Sequence, residues 1–233
     1  MIPKIIHLCW LSGDPFPPMI ENCIESWKKH LPDYEIMVWD RKRFDIESCQ
    51  WVKQAFENKK YAFAADYIRF FALYNYGGIY LDADVEVLKS FNPLLTREYI
   101  LGEEAGGDIE AAVVGAEKGA TWVKECLDHY DDRAFIKPSG SFDMRPVPLL
   151  VNRVAKKHGL EVLPYQYFSP KDYNIGRIDT NDDTYCIHHF DGKWVKPGAI
   201  ATIKRSIHKA IYAILGRKGH NRLVHAIRPL IGH

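Results

Sequence analysis

No apolar run in this 233-residue chain approaches the ~18 residues that a membrane-spanning helix needs, so membrane contact is expected only from the surface. The chain opens Met1-Ile-Pro-Lys-Ile-Ile-His and lacks the longer apolar region and small-residue cleavage site of a secretory leader. Cysteine is scarce. The five present, at 9, 23, 49, 126 and 186, form no C-x-x-C pair and no Cys/His spacing of a zinc site, which predicts free thiols in a reducing, cytoplasmic compartment. Net charge is also nearly absent: 31 Lys and Arg against 30 Asp and Glu leave a formal +1, so no global field announces a nucleic-acid binder. What remains is ordinary globular composition, 47% hydrophobic and 26% charged, enough for one domain of about 150 residues or more with an appendage.

Hydrophobic periodicity predicts an α/β fold. Ile5 to Trp10 is a short apolar run ending in a Gly- and Pro-rich loop, as expected for a buried strand. Ile20, Ile24, Trp27 and Leu31 recur at helical spacing before Pro32, and Tyr34 to Trp39 predicts a second strand. Strand, helix, strand is the start of a βαβ unit and of a parallel or mixed sheet covered by helices. Further helices are expected over 45–58, 60–76 and 120–130, and strands over 79–81, 99–103, 111–116 and 185–190. Residues 131–150 read as a long irregular loop, the kind that often faces substrate. Gly77-Gly78 is expected to form a left-handed cap on the helix before it.

After Asp191 there is no acidic residue, while Lys204, Arg205, Lys209, Arg217, Lys218, Arg222 and Arg228 accumulate. Ile203, Ile207, Ile211 and Ile214 keep helical spacing through this tail. The expected organisation is a domain over 1–200 followed by basic amphipathic helices over 201–233, suited to an anionic bilayer surface or to docking on the domain. Tyr212 alone represents the aromatics after Trp194, so the stacking platforms of single-strand nucleic-acid binders are missing and no nucleic-acid partner is expected.

The junction at Ile79-Tyr80-Leu81-Asp82-Ala83-Asp84 carries the most chemistry. Two carboxylates two residues apart on an extended chain point to one side, and hard oxygen ligands there suit Mn²⁺ or Mg²⁺ beside a diphosphate. With 17 aspartates in the chain, chance alone supplies about one D-x-D, so the context decides. That context is an aromatic helix, a Gly-Gly break and an apolar strand, which puts Asp82 and Asp84 at the C-terminal edge of a sheet, where open α/β folds bind ligands. Asp66 and Arg69, three apart on the preceding helix, form either a local ion pair or part of a site; their apolar neighbours Phe63, Ile68 and Phe70 make unpaired charge there costly.

These residues resemble a known family. Ile2-Pro-Lys-Ile-Ile-His7-Leu-Cys-Trp10, Ala64-Ala-Asp66-Tyr-Ile-Arg69 and Gly77-Gly-Ile-Tyr80-Leu-Asp82-Ala-Asp84, in this order, are similar to the DXD-containing sugar transferases of glycosyltransferase family 32. That family includes yeast initiating mannosyltransferases and bacterial capsule enzymes; the catalytic domain of the large clostridial glucosylating toxins is a more distant likeness. The motifs cover residues 2 to about 95 and return at 185–194.

The resemblance implies a GT-A-type, Rossmann-like mixed sheet and metal-dependent transfer, with retention, of a hexose or N-acetylhexosamine from a nucleotide sugar. A UDP-linked donor is preferred and GDP-mannose is the alternative. Joined to the basic amphipathic tail, a cytoplasmic transferase fits a glycan acceptor that is lipid-linked at the inner membrane face, as in capsule or O-antigen assembly. Trp10 and His7 would line the donor site, with Trp10 stacked on the base; Asp66 and Arg69 would hold sugar hydroxyls; Tyr80 would line the pocket. Asp82 and Asp84 would hold the metal, Mn²⁺ or Mg²⁺. His188-His189-Phe190-Asp191-Gly192-Lys193-Trp194 resembles the ending of related retaining transferases, which makes His189 the third metal ligand and Lys193 and Trp194 donor contacts. A dehalogenase-type phosphatase, whose D-x-D-x-T/V motif has Thr or Val in the fifth position, is disfavoured by Glu86 there. A non-catalytic sugar-nucleotide-binding module is the remaining alternative.

Overall fold

A computed structural model of the chain describes residues 1–105, 107–173, 175–191, 208–216, 219–220 and 222–223. Lys193, Trp194 and most of the expected tail lie outside them. The order opens β1 (Ile5–Cys9), α1 (Pro18–His30), β2 (Glu35–Trp39), α2 (Gln50–Glu57), α3 (Tyr61–Tyr76) and β3 (Gly78–Leu81). It continues through β4 (Val85–Val87), β5 (Tyr99–Ile100), β6 (Val113–Ala116), α4 (Thr121–Asp128), α5 (Val147–His158) and β7 (Cys186–His188). Five strands form one mixed sheet in the order β2-β1-β3-β6-β5, and β4 pairs with β7 in a second, two-stranded sheet. β1 runs parallel to β2 and β3, whereas β6 is antiparallel to β3 and β5.

The centre of the large sheet is buried on both faces because β3 and β6 are apolar at every position rather than alternately. In β3, Ile79 and Leu81 enter one core cluster with Trp27, Phe91 and Phe168, while Tyr80 between them enters the other with Phe70, Trp122 and Val151. A central strand sandwiched in this way loses the polar alternation of a half-exposed one. Trp27 fastens α1 to the second sheet by donating its Nε1–H to Val85 O at 2.6 Å.

Three expectations are corrected here. The span 45–58 is a short 3₁₀ turn (Ile46–Ser48) and α2, separated by Cys49 in extended conformation. Part of the supposed irregular stretch 131–150 belongs to α5, which begins at Val147 and buries Val147, Leu150, Val151, Val154 and Ala155 before Gly159 closes it at φ 64°. Gly77, at φ 67° and ψ −171°, is not in the left-handed helical region; it occupies the extended positive-φ region open essentially to glycine alone. Gly78, at φ 105°, lies so close to β1 that a Cβ would stand 2.6 Å from Ile5 O. The Gly-Gly pair therefore lets the chain leave α3 and enter the sheet at once, bringing Asp82 to the sheet edge.

Candidate active site

Asp82 and Asp84 do not lie on extended chain. Val85 N–H donates to Asp82 O at 3.1 Å, closing a turn between β3 and β4, and this turn rather than strand alternation converges the two carboxylates. Their oxygens and one ring nitrogen of His188 lie within 4.8 Å of one another. His188 ends β7, which reaches the turn because β4 and β7 are paired with Val85 opposite His188. Backbone bonds draw the segment in further: His189 N–H donates to Asp84 O at 3.0 Å and Asp191 N–H to Asp84 Oδ2 at 2.8 Å. Phe190, at φ 50°, lays its ring 3.9 Å from that of His188.

The histidine facing the aspartates is thus His188, not the expected His189. Alternation along β7 turns Cys186 and His188 inward, while His189 bonds Glu86 through Nε2 at 2.8 Å. His7 is also corrected. It is fully buried, with Nε2–H donating to Gly77 O at 2.7 Å and Nδ1 accepting from Trp39 Nε1 at 3.1 Å, so it ties β1 to β2 and to the glycine break rather than facing the cluster. Burial brings it down to about 4, which keeps the ring neutral in that role. Trp10 sits half-buried at the end of β1, packed on Phe16 at 4.9 Å with its Nε1–H on Asp14 O.

Behind the turn, α3 supplies Asp66 and Arg69, both buried. Arg69 Nη2 reaches Asp66 Oδ1 at 2.9 Å and Asp82 Oδ1 at 3.5 Å, and Nη1 donates to Ala111 O. Its guanidinium lies 4.6 Å from the ring centroid of Tyr80, whose hydroxyl donates to Asp82 Oδ1 at 2.9 Å. The i, i+3 ion pair and the site are therefore the same object. Among the described residues Arg69 Nε has no hydrogen-bond partner although it is buried, a cost that a polar ligand would relieve. Burial raises Asp66 to about 7 despite Arg69, and burial likewise raises Asp82. Asp84 behaves oppositely: burial alone would raise it, but the bonds from His188 and the Asp191 N–H bring it to about 2.

Glu110 was not anticipated. It is buried just before β6, and His188 is held between it and Asp84: Nδ1 lies 3.1 Å from Glu110 Oε2 and Nε2 3.5 Å from Asp84 Oδ1. Ser169 Oγ donates to Glu110 Oε2 and the Ala112 N–H to Oε1 at 2.8 Å. Burial would raise Glu110, yet His188 and these donors hold it at about 2; His188, which burial would lower, is raised well above its ordinary value by Glu110 and Asp84. No local motif marks Glu110.

Among the described residues, the four carboxylates of Asp66, Asp82, Asp84 and Glu110 thus share one guanidinium and one imidazole. Two carboxylates and an imidazole nitrogen converging at the rim are a hard and borderline donor set suited to Mn²⁺ or Mg²⁺, and the excess of negative charge fits a divalent ion there.

Residues 17–101 match the family described as the glycosyltransferase sugar-binding region containing the DXD motif. A mannosyl phosphorylinositol ceramide synthase of Saccharomyces cerevisiae is 33% identical over 197 residues, 76% of this chain and 50% of that protein. Inositol phosphoceramide mannosyltransferase 3 of Schizosaccharomyces pombe is 30% identical over 138 residues, covering 58% and 38% respectively. The chain thus spans half or less of the length of these curated relatives. Among solved structures, the PaToxG glycosyltransferase superposes with a TM-score of 0.50 at 17% identity over 67% of this chain and 70% of that one, and the expected GT-A-type mixed sheet is the fold observed. Around the Asp82-Ala83-Asp84 turn, the chain carries the sugar-binding region of the DXD-containing glycosyltransferases.

Proposed function

We propose that this protein transfers a hexose from a nucleotide sugar to a lipid-borne acceptor with retention at the anomeric carbon. The observation that carries the reading is the convergence of Asp82, Asp84 and His188 beside a buried Arg69 whose Nε has no partner among the described residues. A divalent ion held by these three side chains would supply positive charge beside the leaving diphosphate. Asp66 and Arg69, fixed to each other and to Tyr80 and Asp82, would receive the sugar hydroxyls without reorganising, the condition under which buried dipoles and charges stabilise a transition state most. Trp10, half-buried at the sheet edge, is the proposed platform for the base, with Lys193 and Trp194 as further donor contacts. In the transfer, the acceptor oxygen bonds to C1 as the C1–O bond to the diphosphate breaks. The bonding pair leaves with the diphosphate and the acceptor proton passes to it.

The names of the yeast relatives favour mannose as the sugar and an inositol phosphate lipid as the acceptor, which shifts the preference from UDP-hexose toward GDP-mannose. Their names give no support to capsule or O-antigen assembly. Work at the cytoplasmic face of a membrane is part of the proposal. Among the described residues no helix is long and apolar enough to cross a bilayer, and the helical segment 208–216 exposes Ile214 and Leu215 on a basic tail. Release of nucleoside diphosphate from a panel of GDP- and UDP-sugars tests the reading. Turnover of one donor with Mn²⁺, abolished by EDTA and by Asp84→Ala, is expected. A panel that yields neither turnover nor calorimetric donor binding would leave no support for a transferase.

A further inference from the structure

Beyond the acidic cluster, α2, the end of α4 and the start of α5 enclose a cavity of about 90 Å³, well above the roughly 10–15 Å³ that admits a water. Trp51 and Tyr130 line it on the core side and Arg133, Arg145, Arg153 and His129 on the other. One carboxylate, Asp143, serves this group: Arg145 grips it with Nε at 2.9 Å and Nη2 at 2.6 Å, and Arg133 Nη2 shares it. Among the described residues Arg153 has no carboxylate partner; its Nη2 points to His129 Nδ1 at 3.2 Å. Arg133 Nη1 meets the other ring nitrogen of the same histidine.

That last arrangement is frustrated. A neutral imidazole has one lone pair and one N–H, so it accepts from one guanidinium and must present its own N–H, or nothing, to the other. An imidazolium would accept from neither. Burial and the surrounding arginines bring His129 down to about 4, so the ring is neutral and accepts from only one of the two guanidiniums, leaving the other to solvent or to a bound anion. An oxyanion in the cavity would accept from both arginines and relieve the mismatch, and planar guanidinium forks suit phosphate. Arg133 is already pre-positioned, its guanidinium 4.7 Å from the centroid of Trp51.

The pocket adjoins the sugar-transfer site. Tyr130, in its wall, meets the ring of Tyr67 on α3 at 5.8 Å, and its hydroxyl, raised by burial, is influenced next by the charge of Asp66. We propose that Arg133, Arg145 and Arg153 form a binding site for the phosphate of the acceptor, one tyrosine away from the donor-sugar residues. This rests on the transferase reading for the word acceptor, but the anion site itself is measurable without turnover.

The test titrates the full-length protein with inorganic phosphate, by calorimetry, and with phosphatidylcholine vesicles with and without 20 mol% phosphatidylinositol, by co-sedimentation. Both arginines to be changed, Arg145 and Arg153, are exposed, so Arg145→Ala/Arg153→Ala and the single Arg153→Glu should fold. Phosphate binding by the wild type that weakens at least tenfold in both variants is expected. A parallel loss on phosphatidylinositol vesicles assigns a lipid headgroup, whereas loss for phosphate alone assigns a soluble phosphorylated acceptor. No phosphate binding by the wild type, or equal binding by all three proteins, overturns the proposal. Because neither titration uses a donor, absence of donor turnover would count against the transferase reading and leave the anion site standing.

Discussion

A histidine wedged between two carboxylates can carry charge or present a nitrogen lone pair, and Glu110 decides which nitrogen of His188 is presented. With Nδ1 directed at Glu110, Nε2 is the nitrogen left to face Asp84 and a cation. Outer carboxylates on ligating histidines are worth about 10–100-fold in metal affinity. Glu110→Ala should therefore weaken Mn²⁺ binding by that order in calorimetry or by electron paramagnetic resonance, while Glu110→Gln, whose amide oxygen still accepts from Nδ1–H, should recover part of it. Equal affinities in wild type and Glu110→Ala would remove Glu110 from the site. The sequence made Asp66, Arg69, Asp82 and Asp84 legible because they stand in ordered motifs. It misassigned the histidine because two adjacent histidines leave strand register undetermined, and a one-residue shift reverses the face. His7 was misread for the opposite reason: it sits within a motif, yet both its nitrogens are used inside the fold.

At the scale of elements, the break between α3 and β3 has a tight geometric requirement, set by backbone on one side and positive φ on the other. Gly78→Ala would place a Cβ 2.6 Å from Ile5 O at φ 105°, so it should cost about 1–3 kcal/mol from backbone conformation alone, and more from the contact. Urea denaturation should show the loss, with metal binding weakened as well, because the same break aims the Asp82–Asp84 turn. Stability equal to wild type would contradict this account. The Gly-Gly pair was readable as a helix stop, but the conformation it adopts depends on how closely β1 approaches, which no local pattern records. α5 has a sequence signature of its own, with Val147, Leu150, Val151, Val154 and Ala155 at helical spacing, but Pro146 and Pro148 mask its start. The helical segment 208–216 leaves Ile214 80% and Leu215 51% exposed, and a membrane is the proposed cover. Ile214→Asp/Leu215→Asp in the full chain should release the protein from anionic vesicles; undiminished binding would overturn that role for the tail.

Among the described residues the site gathers four carboxylates around Arg69 and His188, and this should appear in the stability of the molecule. Glu110 and Asp84, both brought to about 2, contribute stability that is present above their ordinary values near 4.5 and 3.8 and lost as pH falls toward 2. Asp66, raised to about 7 from 3.8, has the opposite sign: its contribution is complete below about 3.8 and lost as pH climbs through 7. His188, raised above 6.5, likewise contributes below 6.5 and loses that contribution as pH rises through its elevated value. With these groups in control, the metal-free protein should be most stable at about pH 4 to 5, on the acid side of the usual window. Mn²⁺ should stabilise it more at pH 8 than at pH 5, since the ion then supplies the positive charge that protons supply in acid. Urea unfolding from pH 3 to 9, with and without Mn²⁺, measures both effects. Asp66→Asn should flatten the decline between pH 4 and 7 while leaving the acid limb to Glu110 and Asp84. A metal-free stability that keeps rising to pH 8, or an Mn²⁺ effect independent of pH, would mean that the cluster does not hold the unbalanced charge from which the transfer site is argued.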